Sequence, residues 1–154
     1  GQYPALHVVP LFKPREIVVA SPTLLKRGPP LKTLADLKHY TLLHDDSHRT
    51  WVHWLHAVGA KGVNARRGII CGDRNSLIQA ALEGQGVGIA SEVFAAGELA
   101  AGRLVRVFDL EVTSEFAIFA VCLPRRLSDP MISSTLDWLL HEAQASRDAH
   151  PPAP

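Results

Sequence analysis

Very little in this 154-residue chain announces a reaction. It has two cysteines, Cys71 and Cys122, and no CxxC or Cys/His spacing, which excludes a structural zinc motif. Both sit in apolar, strand-like runs and read as buried reduced thiols, with a disulfide or a reactive thiol as the alternatives. Aromatic residues make up only 6% of the chain. No apolar run approaches the roughly 20 residues needed to span a bilayer. The formal net charge is +1 with no long basic run, so the chain has no electrostatic footprint for nucleic acid. GxSxG, HExxH, a P-loop and paired carboxylates are all missing, and no nucleophile is paired with an orienting base at readable spacing. The N-terminus, GQYPALHVV, lacks the regions of a signal peptide, and the only methionine is Met131. The chain therefore reads as a processed product or a fragment.

What is present is globular composition, 47% apolar and 20% charged. Leu6 to Phe12 and Arg15 to Ser21 read as strands. Ser21 caps a short helix opened by Pro22 and stopped by Gly28-Pro29-Pro30. Thr33 and Asp36 suggest a capping box for a two-turn helix. Thr41 to Leu43 is a strand, and His48 to Val58 a helix with Trp51, Trp54, Leu55 and Val58 inward. His53 and His56 then fall on its exposed surface. The most regular stretch is Gly68 to Ser91: strand Arg67–Cys71, polar turn, helix Asn75–Glu83, glycine break, strand Val87–Ala90. A helix from Glu92 to Ala100 and a strand from Leu104 to Phe108 follow. Phe116 to Leu123 is fully apolar, as a central strand would be. Asp129 caps a last helix with Met131, Ile132, Leu136, Leu139 and Leu140 inward, and the tail after it is Pro-rich and reads as disordered. Strands alternating with helices predict an α/β fold with a mainly parallel sheet. Gly84-Gln85-Gly86-Val87-Gly88 follows a helix and enters a strand, the wrong context for a dinucleotide loop, and reads as a C-cap and tight turn.

Five segments carry a resemblance: LFKPREIVVASPTLL, LADLKHYTLLHDDSHRTWVHWL, DRNSLIQAALEGQGVGIA, ELAAGRLVRVF and FAIFAVCLP. Together, from Tyr3 to Trp138, the chain resembles the effector-binding domain of LysR-type transcriptional regulators, particularly the glycine-cleavage-activator-like group. The resemblance implies a type II periplasmic-binding-protein-like fold, with one near-complete lobe and the closing part of the other. Residues 1–19 would end lobe I and supply the outbound crossover, and residues 20–115 would form lobe II. Residues 116–148 would be the return crossover and C-terminal helix, and residues 149–154 the tail. The winged helix-turn-helix, the linker helix and the opening of lobe I have no counterpart here. The return strand carries Ile118 and Phe119 where most members of the family have a tyrosine-rich form.

Under that resemblance the strand-to-helix turns become candidate effector contacts. A helix start offers unpaired N–H groups and a partial positive charge, which favour an anion. The first turn is Asp73-Arg74-Asn75-Ser76, where Asp73, Asn75 and Ser76 either cap the helix or also touch the effector. The second is His44-Asp45-Asp46-Ser47-His48, where His44, Asp46 and Ser47 line the cleft or the segment is only a surface turn capped by Ser47 or Asp46, with a zinc or nickel site of His44 and His48 and the two carboxylates the minority reading. The third is Ser91 to Val93, with Ser91 as cap or as a contact alongside the Val93 backbone. In an α/β sheet all three fall on one edge.

The implied function is effector sensing by a cytoplasmic regulator, with no catalysis, cofactor, metal or membrane partner. The effector would be a small anionic or zwitterionic metabolite. A homo-oligomer is expected, because the two outer strands and the last helix would expose apolar faces. A stand-alone solute-binding protein or remnant enzyme of the same fold is the alternative. DNA would be bound only through the missing N-terminal domain. The 154-residue chain is therefore expected to leave promoter fragments unretarded in a mobility-shift assay, and tight sequence-specific binding by this chain alone would overturn the assignment.

Overall fold

The computed structural model describes residues 5–149. In chain order the elements begin with β1 (His7–Phe12), β2 (Arg15–Ala20), α1 (Pro22–Arg27), a 3-10 turn (Leu34–His39), β3 (Leu42–His44) and α2 (Arg49–Ala57). There follow β4 (Ile69–Ile70), α3 (Arg74–Leu82), β5 (Val87–Ser91) and α4 (Glu92–Ala100). The last are β6 (Val105–Arg106), β7 (Val112–Thr113), β8 (Ile118–Cys122), a 3-10 turn (Pro124–Arg126) and α5 (Pro130–Ala149). The chain divides into two compact units: Pro14–Ser114, and the stretches that precede and follow it.

In the Pro14–Ser114 unit the strands run in the order β4-β3-β5-β2-β6, with β7 also on β2. β3 pairs in parallel with β4 and β5, but β2 is antiparallel to β5, β6 and β7. The sheet is thus mixed rather than mainly parallel. Apolar periodicity identifies a strand but carries no information on its partner's direction.

Parity along each strand assigns its residues to two cores. Val18, Ala20, Leu42, Val87 and Ile89 pack on one face with Trp51, Trp54 and Leu55 of α2. Ile17, Val19, Leu43 and Ala90 pack on the other with Leu77 and Ala81 of α3 and Ala95 of α4. Cover on both faces is why these strands read as unbroken apolar runs. The two tryptophans also fix the register of α2: Trp51 Nε1 donates to the Leu43 carbonyl at 2.9 Å, and Trp54 Nε1 to the Glu16 carbonyl at 3.2 Å.

Several local expectations need correction. The helix starting near His48 has His48 itself at the cap position, without a side-chain cap bond, so neither Ser47 nor Asp46 caps it. His53 is half-buried, not exposed, because α2 lies low over the start of β2. The strand expected at Arg67–Cys71 shrinks to Ile69–Ile70 at the sheet margin. Both cysteines are free and half-buried, and burial pushes the Cys71 thiol up, away from reactivity.

In the other unit β8 pairs antiparallel with β1, from His7 opposite Cys122 to Phe12 opposite Ile118. This two-stranded ribbon is no central strand: Phe119 and Val121 are exposed, as are Phe116 and Leu123 beside them. α5 packs against β1 with Ile132, Leu136, Leu139 and Leu140 half-buried, whereas Met131 points outward. Asp129 accepts the Met131 N–H at 3.0 Å, as expected of a cap. The tail after Ala149 lies outside the described residues.

The Gly84–Gly88 segment is structural punctuation. A Cβ on Gly86 would lie 2.4 Å from the Thr41 carbonyl oxygen, which accepts the Val87 N–H. Gly59, at φ 66°, faces open space. Denaturant unfolding should therefore show Gly86→Ala costing about 3 kcal/mol through forced backbone displacement. Gly59→Ala, which meets only left-handed backbone strain, should cost about 1 kcal/mol. Equal losses would contradict the close strand approach.

Candidate functional site

Because β3, β4 and β5 are parallel, their carboxyl ends lie on one edge, each followed by a helix. β2 runs the other way with Glu16 opposite Ser91, so its beginning reaches the same edge. That edge therefore gathers His44–His48, Cys71–Ser76, Ser91–Val93 and Glu16.

At α3 the donors are already engaged. Asp73 Oδ1 accepts the N–H groups of Asn75 and Ser76 at 2.8 and 3.0 Å, and Ser76 Oγ donates to Asp73 Oδ2 at 2.7 Å. The hydrogen bonds from Ser76 hold the Asp73 carboxyl below its ordinary range, so it is a negative charge at this helix start. Asn75 and Ser76 are exposed, and Arg74 beside them lies 3.8 Å from Asp45.

At α2, His44 is buried between two partners. Its Nε2 lies 3.3 Å from the Arg67 carbonyl, which only accepts, so Nε2 carries the proton. Nδ1 is then the acceptor for His48 Nδ1–H, 3.3 Å away in an edge-on ring pair. Burial pushes the His44 pKa down and keeps the ring neutral. Both its nitrogens serve the loop. Asp46 is exposed, Ser47 accepts the Arg49 N–H at 3.4 Å, and Asp45 takes long 3.5 Å hydrogen bonds from Thr50. No cluster of three His, Cys, Asp or Glu side chains suited to a metal occurs among the described residues.

At α4 the arrangement is different. Ser91 occupies the cap position without a side-chain cap bond, and its buried Oγ has no partner. Val93 and Phe94 are exposed beside it. Across the strand pair, Glu16 is 5% exposed and its Oε2 also lacks a partner, while Ser114 hydrogen-bonds the carboxylate. Burial pushes the Glu16 carboxyl up, against the Ser114 hydrogen bond and the His53 and Arg74 charges, which pull it down. Glu16, Ser91, Asp45, Thr50, Arg74 and Phe94 line one small recess. The α4 start is held by Glu92, which lies 3.6 Å from Arg15 and 3.7 Å from Arg106; the two arginines also reach Glu111 at 2.7 and 3.6 Å.

The edge thus brings together the three expected turns, but within them His44 and Asp73 are spent on internal bonds. Glu16 and Thr50 were not anticipated, and Arg74 and Asp45 lay within the expected turns without being named as effector contacts. Glu16 had a signal: it is the one acid leading directly into the apolar run IVVA. The other three needed the helix starts to be placed in space.

The chain matches the family model for the LysR substrate binding domain over residues 1–144. It is 36% identical over 148 residues to the glycine cleavage system transcriptional activator of Escherichia coli (strain K12), covering 96% of this chain and 48% of that protein. To the HTH-type transcriptional activator AmpR of Citrobacter koseri it is 29% identical over 145 residues, covering 93% and 48%. The chain spans about half the length of these curated relatives. Among solved structures, the effector domain of the transcriptional regulator AmpR of Pseudomonas aeruginosa superposes with a TM-score of 0.83 at 24% identity, covering 99% of this chain and 72% of that one.

A raised Glu16 carboxyl penalises the folded state progressively as pH rises through and above the ordinary glutamate range. Glu16→Gln should therefore melt higher than wild type at neutral pH, with the gap closing in acid. Melting curves taken from the ordinary glutamate range up through neutral pH check this. A gap that widens in acid would refute a Glu16 carboxyl raised by burial.

Proposed function

The chain belongs to the LysR substrate-binding domain family, and on that footing we propose that it senses a small metabolite on behalf of a transcriptional regulator. The metabolite is anionic or zwitterionic and binds at the edge where α2, α3 and α4 begin. The observation that carries this reading is the convergence of Glu16, Ser91 and the three helix starts on one sheet edge. Residues Asp73, Asn75, Ser76, His44, Asp46, Ser47, Ser91 and Val93 form the surround of that site, with His44 and Asp73 acting by shaping their turns. Sensing requires that the ligand bind one arrangement of the regulator more tightly than another. The whole regulator acts in the cytoplasm, binds DNA through a domain outside this chain and works as a homo-oligomer. The exposed Phe116, Phe119, Val121, Leu123 and Trp138 support self-association.

The reading excludes catalysis. Ser76 Oγ, the hydroxyl best placed at a helix start, donates to Asp73, whose depressed pKa makes it a poor base. Among the described residues no helix is long and apolar enough to cross a membrane.

Thermal-shift screening of metabolites tests the proposal on the 154-residue chain. A ligand present at a hundredfold its Kd should stabilise the fold by about 2.7 kcal/mol. For a chain of this size that raises Tm by roughly 5–10 °C. Ser76→Ala should leave the protein free of any hydrolytic activity change while altering the ligand shift only modestly. A saturable turnover abolished by that substitution would favour the remnant-enzyme alternative instead.

A further inference from the structure

We propose that Glu16 and Ser91 form a recess for an unsubstituted ammonium group, so that the effector is a primary amine bearing a carboxylate rather than a simple anion. This rests on the reading of the edge as the effector site and names the chemistry of one end of the ligand. Glu16 and Ser91 are each 5% exposed and are direct cross-strand partners, so their side chains share the face that α2 covers. Glu16 Oε2 and Ser91 Oγ are both buried without a hydrogen-bond partner. A carboxylate oxygen accepts only, so whatever completes it must donate. Buried polar atoms left unmatched in this way are uncommon and call for a partner.

Size and charge narrow that partner. The recess has a volume of about 20 Å³, room for one water-sized group. An ammonium is of that size, whereas a carboxylate or a methylated nitrogen is larger. Two carboxylates, Glu16 and Asp45, and one guanidinium, Arg74, line the recess, and the His53 ring acts on Glu16 from α2 outside that lining. An anionic group entering there meets repulsion, whereas an ammonium meets a buried carboxylate in a charge-assisted hydrogen bond. The ligand's carboxylate then belongs with Arg74, whose half-exposed side chain lies 3.8 Å from Asp45. The start of α3 is closed to it, since Asp73 already takes the Asn75 and Ser76 N–H groups.

The test uses the 154-residue chain and a panel of free amino acids, each with its N-methyl and its 2-hydroxy-acid counterpart. Melting shifts find binders and calorimetry measures their Kd. At least one amino acid is expected to bind, with its N-methyl and 2-hydroxy counterparts at least tenfold weaker. Glu16→Gln should weaken it by about tenfold to a hundredfold, the loss typical of a charge-assisted hydrogen bond. Its unliganded Tm should stay at or above wild type, which separates lost binding from lost folding. Ser91→Ala should weaken binding by a smaller factor. A binder whose Kd survives Glu16→Gln within about twofold overturns the proposal, as does a 2-hydroxy acid that binds as well as its amino acid. Binding only by carboxylates without an amine overturns the ammonium recess and leaves the effector reading standing. No binding by the panel or by any metabolite overturns both, and so leaves the recess as the seat of an ordered water only.

Discussion

A sheet covered on both faces has nowhere to put polar groups except its edges. In the Pro14–Ser114 unit, β2, β3 and β5 send alternate residues into two separate cores, one under α2 and one under α3 and α4. Inside such a sheet an unmatched charge is prohibitive. The polar residues of these strands accordingly fall at their ends: Glu16 at the beginning of β2, His44 at the end of β3, Ser91 at the end of β5. The two indole N–H groups reinforce this by donating to the Leu43 and Glu16 carbonyls, which tie α2 to the same edge. The polar groups gathered at that edge follow from this displacement of polarity to one side.

On that edge, charge is already partitioned. Asp73 caps α3, and the Arg15–Arg106–Glu92–Glu111 network anchors the start of α4 to β2 and β6. His44 is kept neutral by burial and spans from the Arg67 carbonyl to His48. These groups shape the loops. Among the described residues three buried polar atoms lack a partner, His53 Nδ1 on α2 and the oxygens of Glu16 and Ser91, and Arg74 stands at the rim of the recess that the two oxygens line. A ligand that completes them adds stability only to the arrangement in which it fits, which is the physical content of sensing.

The strand-turn-helix rhythm from Gly68 to Ser91 was legible because its signals are local. Asp73 precedes a nine-residue helix, Gly84 breaks it at φ 71°, and VGIAS is too short and apolar to be anything but a buried strand. The Trp51/Trp54/Leu55 stripe was legible by its helical spacing. Other features were not. FAIFAVCL has the composition of a central strand, yet among the described residues β8 pairs with β1 alone and alternates between half-buried and exposed. His53 follows the helical spacing of a surface residue but is drawn toward Glu16 by the way α2 lies on β2.

The residue order by itself determined most element types, the Ser21, Asp73 and Asp129 caps and the family, because each depends on neighbours within a few positions or on a pattern spread along the whole chain. Only the tertiary structure decided the direction of β2. That single antiparallel pairing sets Glu16 opposite Ser91, residues 75 positions apart in the chain. It turns an acid at the head of an apolar run into half of a recess. No local signal encodes it, since strand direction is settled by which partner best buries both faces of the sheet.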